Sequence, residues 1–207
     1  MKMIYYDFRR LGAFRVIPIA VVCILSLLSM RSTAEEIVIL KSMELFLTPL
    51  VTWWIVPCFF NYVNEDTREA YLSYPYSRYA LGIFRILFWS FIYYVLLLAA
   101  FLVRAGRQEG YGLYFLIFMV QVLFYACFSF FLIIYTRNIV LSFGVIWGYV
   151  GVQVLDANHR FSGMSVCFYD IFYEGLQAIA MKGIIILVLS MFFMLYAQMR
   201  FNRMEVG

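Results

Sequence analysis

Residues 64–85 read NEDTREAYLSYPYSRYALGIFR, and this stretch decides the fold. It is the only long run in the first half of the chain that is charged and lies between deep apolar segments. Residues 45–63 before it and 86–103 after it are nearly unbroken apolar sequence. Two such segments are each long enough to cross a bilayer, and lipid-exposed irregular backbone is not tolerated in hydrocarbon, so the charged stretch between them must be a loop at a membrane face. It is where this protein meets something soluble.

The loop has its own local grammar. Asp66 and Glu69, three positions apart, form a capping-box-like pair that predicts a turn or two of helix over residues 67–73. Tyr74 precedes Pro75 and is biased out of the helical region, which ends that helix. Ser77 then caps a new helix, with Arg78 and Arg85 placed to snorkel toward headgroups while the residues between them enter the bilayer. The plain alternative is an ordinary solvated loop.

Composition agrees with a membrane protein. The chain has 207 residues, of which 65% are hydrophobic and 14% charged, with mean hydropathy +0.87. That is too apolar for a soluble domain. The net charge is +4, and the basic residues fall in interfacial clusters, not in a stripe, so no nucleic-acid partner is implied. Cys23, Cys58 and Cys127 lie in apolar runs and only Cys167 in a polar connection, so neither a disulfide framework nor a metal site emerges.

Taken in order, the chain reads as a single all-α integral membrane domain over residues 1–207, with six transmembrane helices. Residues 1–14 place Ile4, Phe8 and Leu11 on one face and predict an interfacial helix. The spans fall at about 15–31, 44–63, 79–103, 111–135, 139–155 and 183–199. The first is followed by Arg31 and a small-residue run that resembles a cleavage site, but it is read as a retained span. In the second, Pro49 and Pro57 predict kinks, and Trp53 and Trp54 either line a path or pack. Gly144, Gly148 and Gly151 in the fifth allow another backbone to come close, within this bundle by preference over a dimer. Between spans five and six, Asp170, Glu174 and Gln177 share one stripe and Phe168, Ile171, Phe172, Leu176 and Ile179 the other, predicting a half-buried outer segment.

Counting Lys and Arg sets the orientation. With both termini inside, ten lie on the inner side and six on the outer, which accounts for all 16. The loop at 64–78 is then cytoplasmic.

Glu65, Glu69 and Leu72, then Pro75, Ser77, Arg78, Gly82 and Arg85, resemble the loop after the second span in permease subunits of type-2 ABC transporters. The likeness covers about 20 residues directly, and Tyr76 departs from the small aliphatic residue usual there. The resemblance implies that the segment is a cytoplasmic coupling helix passing nucleotide-driven closure to the spans. Tyr71 and Leu72 would enter a groove on an ATP-binding ABC subunit while Glu65, Asp66, Arg68 and Glu69 form rim pairs. It also implies a second permease, a copy or a paralogue, and short re-entrant helices between the last two spans. The implied setting is a bacterial cytoplasmic membrane.

The missing chemistry narrows the function. No Asp, Glu, Lys, Arg or His falls in the central part of any expected span, whereas proton- or ion-coupled carriers need titratable groups at depth, each costing about 2.5–3.5 kcal/mol to insert. There is no GxxxxGK[ST] loop, so ATP and magnesium are expected on a partner ATPase and no cofactor in this chain. His159 lies near Asp156 and Arg160 in an outer loop without convergent partners, so no enzyme activity is expected. Gln121 and Gln153, polar residues inside spans, either line a path or hydrogen-bond between helices. The expected function is export of a hydrophobic or amphipathic cargo: a peptide, antibiotic or lipid-like molecule. The competing readings are a non-transport assembly or interaction subunit and a secondary carrier.

Overall fold

The computed structural model describes residues 12, 16–31, 41–64, 79–105, 112–155, 165–168 and 176–203. Among them every regular element is helical: α1 (Val16–Arg31), α2 (Thr52–Val63), α3 (Arg85–Ala105), α4 (Gly112–Thr136), α5 (Ile139–Leu155) and α6 (Leu176–Asn202). A π-helical turn, Met43–Leu47, and a 3-10 turn, Thr48–Val51, lead into α2, and a second π-helical turn, Ala80–Phe84, leads into α3.

Four of the resulting rods are long and apolar enough to cross a membrane: Met43–Phe60, Leu81–Leu102, Gly112–Thr136 and Leu176–Asn202. The other two expected spans are shorter. α5 has 17 residues and α1 has 16, so at 1.5 Å per residue they reach about 26 and 24 Å against a hydrocarbon core of about 30 Å. Helical segments cover the stretches expected for spans one to five, but of these only the second, third and fourth are long and apolar enough to cross a membrane. The sixth is displaced: α6 begins at Leu176, seven residues before the expected start, and ends at Asn202. Lys182 looked like a span boundary, but its amine is used inside the protein, and the helix runs through it. Leu176, expected on the apolar stripe of a half-buried outer segment, is 72% exposed, whereas Ile179 of the same stripe is buried.

The second rod changes winding at Pro49. Proline has no N–H to give, and the chain takes the 3-10 turn Thr48–Val51 around it. The Leu47 carbonyl accepts the Tyr93 hydroxyl of α3, and Thr48 Oγ1 donates to the Glu44 carbonyl. The expected irregularity at Pro49 is thus a change of helix type stitched to α3. Pro57 lies inside α2.

α4 is the central helix. It packs against α2, α3, α5 and α6, with its largest contact on α6. Of the most apolar window of α4, 78% is buried, against 17% for α6, so α6 lies against the bundle by one side and turns the other outward. Lipid tails are as apolar as leucine, so helices in a bilayer gain association energy from close packing, not from escape from water. Aromatic rings supply it here. Phe124, Phe128 and Phe131 share one face of α4 and surround Phe193 of α6 at centroid distances of 6.1, 5.1 and 5.1 Å. Phe130 meets Phe59 of α2 at 4.5 Å, and Trp54 meets Trp89 and Tyr93 of α3 edge-on at 5.4 and 5.5 Å. Such pairs contribute about 0.5–1.5 kcal/mol each beyond their area.

α4 and α5 are joined by Arg137 and Asn138. Arg137 takes a left-handed φ of 53°, and the Asn138 side chain accepts from the N–H groups of Val140 and Leu141 at 2.9 and 3.1 Å. Asn138 is therefore the N-cap of α5, reinforced by Ser142 Oγ donating to the Asn138 carbonyl at 2.8 Å. Asn138→Ala is expected to cost about 1 kcal/mol, read as a lower thermal midpoint in detergent, while Asn138→Asp retains the cap.

The glycines of α5 behave otherwise than expected. A Cβ built on Gly144, Gly148 or Gly151 meets nothing within 4 Å. No other described part of the chain packs closely over them, because α5 turns Ser142, Ile146, Val150 and Gln153 inward and puts Gly144 and Gly148 on the far side.

Candidate functional site: a peptide seat at the Glu44 end

Polar side chains from four helical elements converge at one end of the bundle. Glu44 sits in the π-helical turn and is fully buried. Gln121 of α4 and Gln153 of α5 are buried as well, and Lys182 of α6 reaches in from the rim. Helices alternate in direction, so the start of the second rod, the first turns of α4 and α6 and the end of α5 come together here.

Ser165–Phe168 fills the space between them. These residues have no regular secondary structure, yet Val166, Cys167 and Phe168 are buried. Non-helical backbone in such a place needs its polar groups satisfied by the surrounding protein, and side chains do this one by one. Gln121 Nε2 donates to the Val166 carbonyl at 3.1 Å. The Cys167 N–H donates to Ser165 Oγ at 3.1 Å, and the Cys167 thiol to Gln153 Oε1 at 3.0 Å. Lys182 Nζ donates to the Cys167 carbonyl and stands over the Phe168 ring, 5.6 Å from its centroid. The Phe168 N–H donates to Glu44 Oε2 at 2.7 Å. The seat therefore holds irregular backbone and the buried side chains of Val166, Cys167 and Phe168.

The opposite end is built around Arg85. Its guanidinium was expected to snorkel outward; instead the residue is 2% exposed, and its charge stands 5.3 Å from the Phe59 centroid and 5.1 Å from that of Tyr62. Aromatic faces at the end of α2 attract the cation where headgroups had been expected. Nearby, Gly82 in the second π-helical turn lies directly under Gln198 of α6. Arg85 ties α3 to α2, and Gly82 lets α6 close on the entry to α3.

The expected site residues divide as follows. Glu65, Asp66, Arg68, Glu69, Tyr71 and Leu72 lie outside the described residues, as do the interfacial helix at 1–14 apart from Gly12, His159 and residues 169–175. Trp54 is buried against Trp89 and Tyr93, and Trp53 is half-buried 5.0 Å from Phe143 of α5. Gln121 and Gln153 are brought together on the Ser165–Phe168 segment. Glu44 and Lys182 were not expected: each is a lone charge at the edge of an apolar run, which reads as interfacial. Among the described residues no group of three or more His, Cys, Asp or Glu could hold a metal ion.

No family model, curated protein or solved structure matches this chain.

Proposed function

We propose that the chain is the permease subunit of an ATP-driven exporter resembling type-2 ABC transporters. It works with a separate ATP-binding subunit, which carries ATP and magnesium, and with a second permease. Its cargo is a hydrophobic or amphipathic peptide, antibiotic or lipid-like molecule. Its setting is a cytoplasmic membrane with both termini inside.

The observation that carries this reading is the pairing of two features. The charged loop at 64–85 resembles the family's coupling segment, and Ser165–Phe168, between α5 and α6, is buried among the helices in the interval where the resemblance implies short re-entrant helices, although these four residues are not themselves helical. Gly82 and Arg85, the described residues of that resemblance, add support. They sit against Gln198 of α6 and the α2 aromatics, so a displacement of the loop is passed to two other helices at once.

Purification in mild detergent should bring down an ATPase, and the reconstituted pair should move cargo only with hydrolysable ATP. An ATPase whose turnover is indifferent to this chain and to cargo would leave an assembly subunit. One observation favours a secondary carrier as the second reading: Glu44 is a titratable group inside the protein, beside a segment that could move. Solute movement driven by a pH or ion gradient in vesicles without ATP would establish that reading and end the first.

A further inference from the structure

The last turns of α6 carry two exposed arginines at the end of an exposed apolar face. At 3.6 residues per turn, Leu195, Met199, Phe192, Arg203, Tyr196 and Arg200 fall in that order within a sector of about 140°, and all six are exposed. Ala197, Gln198 and Phe201 take the opposite side and are buried. The outward face of α6 therefore passes from apolar surface to two cations within three turns.

Aromatic rings fix where the first of these cations stands. Phe131 stacks on Tyr135 of α4 at 5.8 Å with the planes 18° apart, and Phe192 stacks on Tyr196 of α6 at 6.1 Å and 21°. Phe131 joins the two pairs by meeting Tyr196 at 5.8 Å. The Arg200 guanidinium stands over the Tyr135 ring, 5.2 Å from its centroid, and so bridges the seam between the helices. A ring attracts a cation through its quadrupole and carries no net charge, so it places the guanidinium without neutralising it. Among the described residues the one carboxylate is Glu44, at the other end of the bundle. Arg137, exposed two positions past Tyr135, adds a third positive charge here. The end of a helix carries about half a negative charge, which the arginines outweigh.

This pairing of charge with apolar surface selects its occupant. Phosphate oxygens match the fork of a guanidinium, and the face below it takes hydrocarbon. A zwitterionic headgroup brings its own ammonium to the same place and forfeits much of the attraction. A second copy docked by this face about an axis normal to the membrane would set the arginines against their own counterparts, which like-charge repulsion disfavours.

We propose that the seam between the ends of α4 and α6 binds one anionic phospholipid, its phosphate held by Arg200 and Arg203 and an acyl chain laid along Met199, Leu195 and Phe192. The site requires neither nucleotide nor cargo, so it stands or falls apart from the transport reading.

The test uses the full chain in mild detergent, with phosphatidylglycerol and phosphatidylcholine of the same acyl chains offered in equal amounts and bound lipid counted by native mass spectrometry. Each arginine beside an anionic headgroup favours it by about fivefold, so the parent should prefer phosphatidylglycerol by about 25-fold. High salt should shrink that preference. Arg200→Gln should cut it about fivefold, while Arg200→Lys should retain most of it. Lys41→Gln, an exposed basic residue at the opposite end, should leave it unchanged. Glycerol phosphate, which has the anion and no acyl chain, should not compete. Arg200→Gln protein that keeps the parental preference overturns the proposal, even where its thermal midpoint falls, because the arginine then serves the fold alone. Competition by glycerol phosphate overturns it, as does a disulfide between two copies formed only with Met199→Cys. Where a variant does not fold, the unsubstituted chain decides: phosphatidylglycerol with a diazirine beside its glycerol should mark α4 and α6 around Tyr135 and Met199. Marking confined to other helices overturns the proposal.

Discussion

Alanine at Leu72 is expected to abolish cargo-dependent ATP hydrolysis by the reconstituted complex while the permease itself still folds. Leu72 and Tyr71 are the apolar residues of the segment 65–72, and a partner groove would take them as anchors. Truncating an anchor at the centre of a protein interface costs about 2 kcal/mol or more, roughly a thirtyfold loss of affinity. Glu69 belongs to the charged rim, where truncation acts on the association rate and its salt dependence more than on residence time. Glu69→Ala should therefore weaken stimulation at physiological salt and converge with the parent at high salt. Leu72→Ala should fail at both. The thermal midpoint of the isolated permease reports whether it folds. Unchanged turnover in both variants would remove the coupling role, and a loss that tracks the midpoint would reduce it to a folding defect.

How far the sequence could be read follows from where each signal resides. Helices are local: an apolar run ended by Thr136, Arg137 and Asn138 announces its own limits, and the α5 helix lies at Ile139–Leu155, although at 17 residues it is shorter than the four candidate spans. Gln121 and Gln153 stood out because an amide inside an apolar run is itself a signal, although one sequence does not say what it bonds. The seat is non-local. Phe168 lies 124 residues from Glu44, and the segment has no periodicity by which a pattern search could find it. Glu44 and Lys182 are each displaced only a turn or two from a span end. Sequence position does not separate a charge that snorkels to water from one that turns inward to a peptide. Arg85 shows the same ambiguity, resolved by aromatic residues 23 and 26 positions earlier on the preceding helix. The glycines of α5 failed differently. Small residues permit a close approach without specifying a neighbour, and the described chain supplies none.

Gly82→Ala gives a prediction whose sign separates two physical accounts. Alanine favours a helix over glycine by about 0.8–1 kcal/mol, so in the absence of a neighbour the change should stabilise. A Cβ at Gly82, however, would lie 1.9 Å from Gln198 Oε1 and 2.8 Å from its Cδ. Something must move. A flexible amide on a surface would step aside, but Gln198 is 2% exposed and its Nε2 is bonded to Asn202 Oδ1 at 2.7 Å. Overpacking of this kind costs about 1–3 kcal/mol, which outweighs the helical gain. Gly82→Ala should therefore lower the thermal midpoint, and Gly82→Val should lower it further. Gln198→Ala alone is also expected to destabilise, through the lost Asn202 bond and the space left behind. In the double variant the new methyl group occupies part of that space. The cycle should be strongly non-additive, with the pair more stable than the sum of its parts by about 0.5–3 kcal/mol. Additive losses, or a Gly82→Ala protein more stable than its parent, would mean that α6 does not close on the entry to α3. The path by which a displaced loop is argued to move α6 would then be gone.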